Sequence, residues 1–304
     1  MTKRIGLALL LLLALGAIAV LALLRPRPEW PAGLQGAIVF VSDREGIPAL
    51  YWRRLPKERA RRLTFGSEPA SDPAVSPDAT RVAFAMNGRI GLVAVATAEL
   101  RVLTLGVDWR DAQPAWLADG RRLVVSSRRR PGEPAGLHLL ETTADGAAAR
   151  HPLTQPLAGD DTSPAPTPDG AAIVFVREER LMRVELDDGR VRRLTGGFKR
   201  DRAPRFLPSG RLVCAWTEGK RHGIDALDAD GRSRETLVEG GRYFRTLAPS
   251  PDGRFLVATL GYDMGFRPLA GLFGRQRDEL HLLDARGAEL VRLEAAAHSA
   301  DWAR

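Results

Sequence analysis

The sequence predicts an all-β fold: a six-bladed β-propeller closed by pairing of its N- and C-terminal strands and preceded by one N-terminal transmembrane helix. Three observations lead there. Residues 5–24 form an unbroken apolar run. From residue 36 onward, a turn signal followed by an apolar strand recurs about every 40–50 residues, the period of propeller blades. The first and last fragments of this pattern are complementary, because the chain begins without an opening strand and ends with one.

Taken in order, Lys3 and Arg4 precede the apolar run from Ile5 to Leu24. As a helix rising 1.5 Å per residue it reaches roughly 30 Å, the thickness of a bilayer core. A cleavable signal carries a shorter apolar region of about 7–15 residues, although Ala17-Ile18-Ala19 offers a small-x-small site. The expectation is an uncleaved anchor over 1–24, crossing the bacterial inner membrane once with the propeller in the periplasm. Lys3 and Arg4 favour an inside N-terminus, against Arg25 and Arg27 on the other flank. Residues 25–35 read as a linker. Arg25-Pro26-Arg27-Pro28-Glu29-Trp30-Pro31 is too rich in proline for a helix and is extended and stiff. Trp30 suits either the headgroup level or packing against the first blade.

The propeller is expected over 36–304. Its turns are Ser76-Pro77-Asp78-Ala79, Leu117-Ala118-Asp119-Gly120, Thr167-Pro168-Asp169-Gly170, Leu207-Pro208-Ser209-Gly210 and Ser250-Pro251-Asp252-Gly253. Proline presets φ, aspartate or serine bonds back to the backbone, and glycine accepts a left-handed conformation, so Ala79 is the strained exception. After each turn comes an apolar run, such as Ile173 to Val176 or Leu212 to Trp216, with little alternation, which means burial on both faces. The next two strands keep a fixed phase. Leu50 and Leu63, Ile90 and Leu103, Leu181 and Leu194, Ile224 and Leu237, and Leu280 and Leu293 are each thirteen apart, and only Leu137 and Leu153 are further. Thr64, Thr104, Thr154 and Thr195 follow directly. At the end, His298-Ser299-Ala300-Asp301-Trp302 matches the opening strands around Pro73 and Pro114-Ala115-Trp116. It completes the first blade from the far terminus and removes both free sheet edges.

The recurring string, roughly Asp-x-x-Pro-x-Trp-Ser-Pro-Asp-Gly, then an apolar strand and a closing Leu-Thr, resembles the repeat of TolB-like β-propeller proteins. Asp111, Asp161 and Asp201 hold the leading position, three residues before Pro114, Pro164 and Pro204. The resemblance spans 36–304 and implies the propeller fold and an interaction role in the cell envelope. The N-terminal α/β domain of TolB itself has no counterpart here. The repeat aspartates read as turn and strand caps rather than ligand contacts.

Composition narrows function. A net charge of +8 and a pI near 10.4 favour acidic partners or anionic surfaces, but the arginines are dispersed and show no RNA- or DNA-binding signature, so nucleic acid is not expected. The lone cysteine, Cys214, lies in an apolar strand and forms neither a disulfide nor a cysteine metal site. Five histidines lie in four repeats without paired spacing; His138 and His281 share a strand phase, which packing explains. There is no Gly-x-Ser-x-Gly elbow and no phosphate loop. No catalytic residue, metal or cofactor is therefore expected, and the chain reads as a binding protein, not an enzyme. The alternative is a channel-site small-ligand or glycan binder, or an enzyme of the propeller lyase or lactonase type.

Binding candidates come from the loops between blades and between second and third strands, which share one face. They are Trp109, Arg110, Phe198, Lys199, Arg200, Arg202, Arg242, Tyr243, Phe244 and Arg245, joined there by Arg128-Arg129-Arg130 and Lys220-Arg221. Arginine interleaved with aromatic residues is the composition of interface hot spots. The loop from Gly261 to Glu279 is longer than its counterparts and mixes Phe266 and Phe273 with Arg267 and Arg275. Loops of that length are often functional. The expected partners are an envelope protein and, through the helix, the membrane.

Overall fold

The computed structural model describes residues 30–105, 107–142, 148–261 and 278–303. The expected anchor over 1–24 lies outside these residues, as does nearly all of the long loop. Among the described residues there is no helix, and so none long and apolar enough to cross a membrane.

Twenty-four strands form six four-stranded antiparallel sheets. The first blade comprises β1 (Ala37–Ser42), β2 (Ala49–Arg54) and β3 (Arg61–Arg62), completed on its inner side by β24 (Ala297–Trp302). The second runs β4 (Ala70–Val75), β5 (Arg81–Met86), β6 (Arg89–Ala94) and β7 (Leu100–Val102). The third runs β8 (Arg110–Trp116), β9 (Arg122–Arg128), β10 (Gly136–Thr142) and β11 (Ala148–Pro152). The fourth runs β12 (Thr162–Pro166), β13 (Ala172–Arg177), β14 (Arg180–Glu185) and β15 (Val191–Arg193). The fifth runs β16 (Arg200–Phe206), β17 (Leu212–Glu218), β18 (Arg221–Leu227) and β19 (Arg234–Gly240). The sixth runs β20 (Tyr243–Pro249), β21 (Phe255–Gly261), β22 (Glu279–Asp284) and β23 (Glu289–Ala295).

The expected closure is present. Ile38 pairs with Trp302 and Val41 with His298, and the Ala303 amide donates to the Ala37 carbonyl at 2.8 Å. Across the last-to-first junction, Arg53 and Arg44 both reach Glu294, at 2.8 and 3.0 Å. Both termini of the ring are thereby held by backbone pairing and charge, and the first sheet gains the same four strands as the others.

Second strands are buried throughout, as their lack of alternation requires: every residue of β1 and of β21 is buried. The reason is that each sheet is sandwiched between two others. Five apolar clusters each join adjacent blades, from Val39, Leu50 and Phe84 at the first junction to Ala215, Leu247 and Leu256 at the fifth. Phe40, Phe84 and Phe175 are among the largest side chains wholly inside, and each contributes on the order of 2–3 kcal/mol by burial.

Local chemistry fixes the turns and the register. Ser76 and Ser250 donate to Asp78 and Asp252 within the short turns, at 2.6 and 2.5 Å. Gly120, Gly170, Gly210 and Gly253 adopt φ between +64° and +81°, and Ala79 is forced to +56° in the matching position. The threonine after each closing leucine accepts from the amide of Leu50, Ile90, Leu137 or Leu181 at 2.8–3.0 Å. That bond ties the end of the fourth strand to the start of the third.

Candidate functional site

The expectation that the repeat aspartates are caps does not hold. Asp111, Asp161 and Asp201 are all but inaccessible and serve as buried struts. Asp161 accepts from Arg177 Nε at 2.6 Å and Nη2 at 2.8 Å, and from the Thr154 hydroxyl of the preceding blade at 2.5 Å. Asp201 likewise accepts from Thr195 at 2.6 Å and Arg234 at 2.7 Å, while Asp111 is held by Ser127 and Arg150. Arg234 also pairs with Asp225, which is bound at 2.8 Å by Lys199. Burial opposes the charge on Arg234, but its two carboxylates overcome that and raise its pKa. The arginine pairs brace strands within a blade, while Thr154 on Asp161 and Thr195 on Asp201 tie each aspartate to the blade before it, so these groups are not free for a ligand.

The inner strands line a central channel. In every one of them a β-bulge interrupts pairing, and Asp72, Gln113, Ser163, Ala203 and Ser299 take φ between +48° and +52° at that level. Such bulges re-aim side chains, here around the axis. Toward the short turns the channel is a cavity of about 220 Å³ walled by prolines, including Pro77, Pro168, Pro208 and Pro251, with Trp116 and Trp302. Arg205 lies between this cavity and the bulge ring. It donates to the Pro204 carbonyl at 2.9 Å, and among the described residues it forms no ion pair. Burial lowers its pKa, opposed by the charges of Asp301 and Asp72. Asp72, half-buried, has its pKa raised by desolvation, against a hydrogen bond from Ser71 and the charges of His298 and Arg205. Sequence reading offered a channel site but assigned it no lining residues, because those that meet in it come from six separate repeats.

The predicted loop residues fall into separate groups. Trp109 packs edgewise on His138 at 4.6 Å and has Arg150 and Arg129 at 5.0 and 5.9 Å from its ring. Arg110 is exposed beside Gly88. Lys199 covers Trp216 at 3.9 Å, and exposed Arg200 meets Glu179 at 3.4 Å. Arg202 lies 4.2 Å from the Tyr243 ring, with its Nη1 buried and without a hydrogen-bond partner. Tyr243 also meets His222 edgewise at 5.4 Å. Arg242 pairs with Glu289, and Arg245 with Asp278 at 3.2 Å while reaching the bulge ring. Phe244 is a correction: it is a core residue packed between the fifth and sixth blades, because alternation along β20 points it opposite to its neighbours. Phe198 stands exposed at a linker tip. Phe266, Arg267, Phe273 and Arg275 lie outside the described residues.

Phe198 is not isolated. Phe65, Leu105, Val107, Leu157 and Phe198 sit on four successive interblade linkers, and all are more than 60% exposed. Of the eight large apolar side chains exposed among the described residues, these five and Ile47 lie on the linker face. Leu100 and Leu290 are on outer strands, and the short-turn face has none. The signal in the sequence was an apolar residue one to three positions after each of these Leu-Thr pairs, which the repeat frame locates.

No group of three or more His, Cys, Asp or Glu side chains among the described residues is arranged to hold a metal ion. His138, His222 and His281 are buried in three different blades. His281 is engaged by Glu289 at 2.7 Å and Glu279 at 3.2 Å.

The described residues form a closed ring of six blades that carries most of its exposed large apolar side chains on one face. Its repeat and fold are TolB-like. A TolB homolog of Chlorobium luteolum is 30% identical over 141 residues, 46% of this chain, and the match spans only 31% of that relative. TolB from Acinetobacter baumannii superposes with a TM-score of 0.69 at 17% identity, over 88% of this chain and 66% of that one. For a putative TolB from Agrobacterium tumefaciens the values are 0.66 and 19%, over 86% and 90%. An oligogalacturonate lyase in complex with manganese gives 0.61 and 17%, over 84% and 73%. No family model matches the chain.

Proposed function

We propose that this chain is a docking module of the bacterial cell envelope, not an enzyme: a periplasmic propeller, tethered to the inner membrane by residues 5–24, that binds a protein partner on its linker face. The observation that carries the reading is the segregation of exposed apolar side chains. Phe65, Leu105, Val107, Leu157 and Phe198 all stand on that face, and among the described residues the short turns of the opposite face carry none. Scattered apolar exposure is ordinary on any protein, but confinement to one face of a ring is the pattern of an interaction surface. Arg110 and Arg200 on the same face, with the net charge of +8, favour a partner whose matching surface is acidic around an apolar centre. The resemblance to TolB proteins supports an envelope setting.

The test is co-purification from detergent-solubilised membranes with wild type and with a Phe65→Ser, Leu157→Ser, Phe198→Ser triple variant. These residues are exposed, so the variant keeps its melting temperature. A partner retained by wild type is lost from the variant; retention by both refutes the reading. A second reading, a small-ligand or glycan binder in the channel, is favoured by the half-buried Arg205, which forms no ion pair among the described residues. Under it Arg205→Met, and not the triple variant, abolishes binding.

A further inference from the structure

The third blade carries a cleft that neither the struts nor the linker tips account for. It has a volume of about 450 Å³, and its walls are Trp109, Pro134, Pro152 and Pro156. That size and lining suit a small organic ligand. Arg150 and Ser127, at its floor, are both taken by Asp111. Of the remaining polar lining groups, Thr154 is taken by Asp161, exposed Glu133 reaches Arg130 at 3.8 Å, and Gln155 is exposed; a ligand would meet Arg129 and His138. Arg129 is exposed, leans toward the Trp109 ring at 5.9 Å, and forms no ion pair among the described residues. His138, 6% accessible, has a buried Nδ1 with no hydrogen-bond partner. A buried ring nitrogen left unpaired is destabilising, a cost that a bound partner would recover.

We propose that this cleft binds a small aromatic carboxylate bearing a ring hydroxyl, with the carboxylate on Arg129, the ring among Trp109 and the prolines, and the hydroxyl at His138 Nδ1. Arg129 calls for an anion, and a guanidinium recognises a carboxylate through paired donors. Prolines and an indole offer few hydrogen-bonding groups, so they fit a flat apolar ring better than a sugar covered in hydroxyls. His138 and Arg129 both lie against the same indole, so one ring can span them. The imidazole is neutral, because burial and then Arg150 hold its pKa below the ordinary value, and a neutral ring nitrogen can accept from a hydroxyl.

The probe is 4-hydroxybenzoate, titrated calorimetrically into the propeller beside benzoate and glucuronate. The expected result is saturable 1:1 binding of 4-hydroxybenzoate, weakened about tenfold by Arg129→Gln, the loss of one charge-assisted hydrogen bond. Benzoate, lacking the hydroxyl, binds more weakly. Long-range nitrogen NMR of His138 shows the Nδ1 resonance moving on binding of 4-hydroxybenzoate and not of benzoate, a readout that does not depend on a variant that might misfold. Absence of binding at about 10 mM overturns the proposal, as does equal affinity in Arg129→Gln or tighter binding of glucuronate.

Discussion

Asp160 and Asp161 are adjacent carboxylates with opposite predicted energetics. Asp161 is wholly buried and holds both Arg177 and, across the blade boundary, Thr154. Replacing it by Asn keeps the volume but removes the charge and turns an amide donor toward a guanidinium that is only 22% exposed. Breaking a buried pair by neutralising one partner costs about 3–5 kcal/mol. Arg177 is partly reached by solvent, which brings the expectation to about 2–3 kcal/mol, or roughly 4–10 °C in melting temperature for a domain of this size. Asp160 is a control one residue away. It pairs with Arg128 on the surface, with side chains 42% and 36% exposed, and an Asn there still accepts from the Ala135 amide. Asp160→Asn is expected to cost less than about 1 kcal/mol. Urea unfolding of the two variants measures the contrast. If they differ by less than about 0.5 kcal/mol, Asp161 is a cap rather than a strut and the account of interblade cohesion is wrong.

Two further stability predictions follow from the backbone and from the histidines. Ala79 sits at φ +56° where its counterparts are glycine, so Ala79→Gly is expected to gain about 0.5 kcal/mol, the relief of strain less the entropy and the methyl contact given up; a loss on thermal denaturation counts against the turn assignment. Burial, foremost, lowers the pKa of both His138 and His298 from 6.5, so the unfolded chain binds the extra protons. Stability is therefore full above pH 6.5 and falls as the pH drops through that value toward the depressed folded values. Urea midpoints measured from about pH 8 to pH 5 should decline below neutrality and decline less in His298→Gln, whereas identical profiles refute the assignment.

The ring was legible in the sequence because turn chemistry is local. Five turns that draw proline, aspartate or serine, and glycine at fixed offsets needed no knowledge of tertiary contacts, and the missing first strand was found by its likeness to the others. The struts were not legible. Asp161 meets an arginine 16 residues on, but Asp201 meets one 33 and Asp111 one 39 residues on, so no constant spacing announces the pairs. Phe244 was misplaced for a related reason: Tyr243-Phe244-Arg245 resembles a loop hot spot, but on a strand its middle residue faces the core. Apart from Phe198, the apolar tips escaped notice because each is unremarkable alone. Only the topology, which returns every linker to one face, assembles Phe65, Leu105, Leu157 and Phe198 into a surface.

That surface is tested most directly by photo-crosslinking in intact cells. A benzophenone side chain is placed at Leu105, Leu157 or Phe198 on the linker face, and at Asp119, Asp169 or Ser209 on the short turns. The account predicts one common crosslinked protein from the linker positions and none from the turns. Crosslinking from the turns, or from neither face, contradicts it.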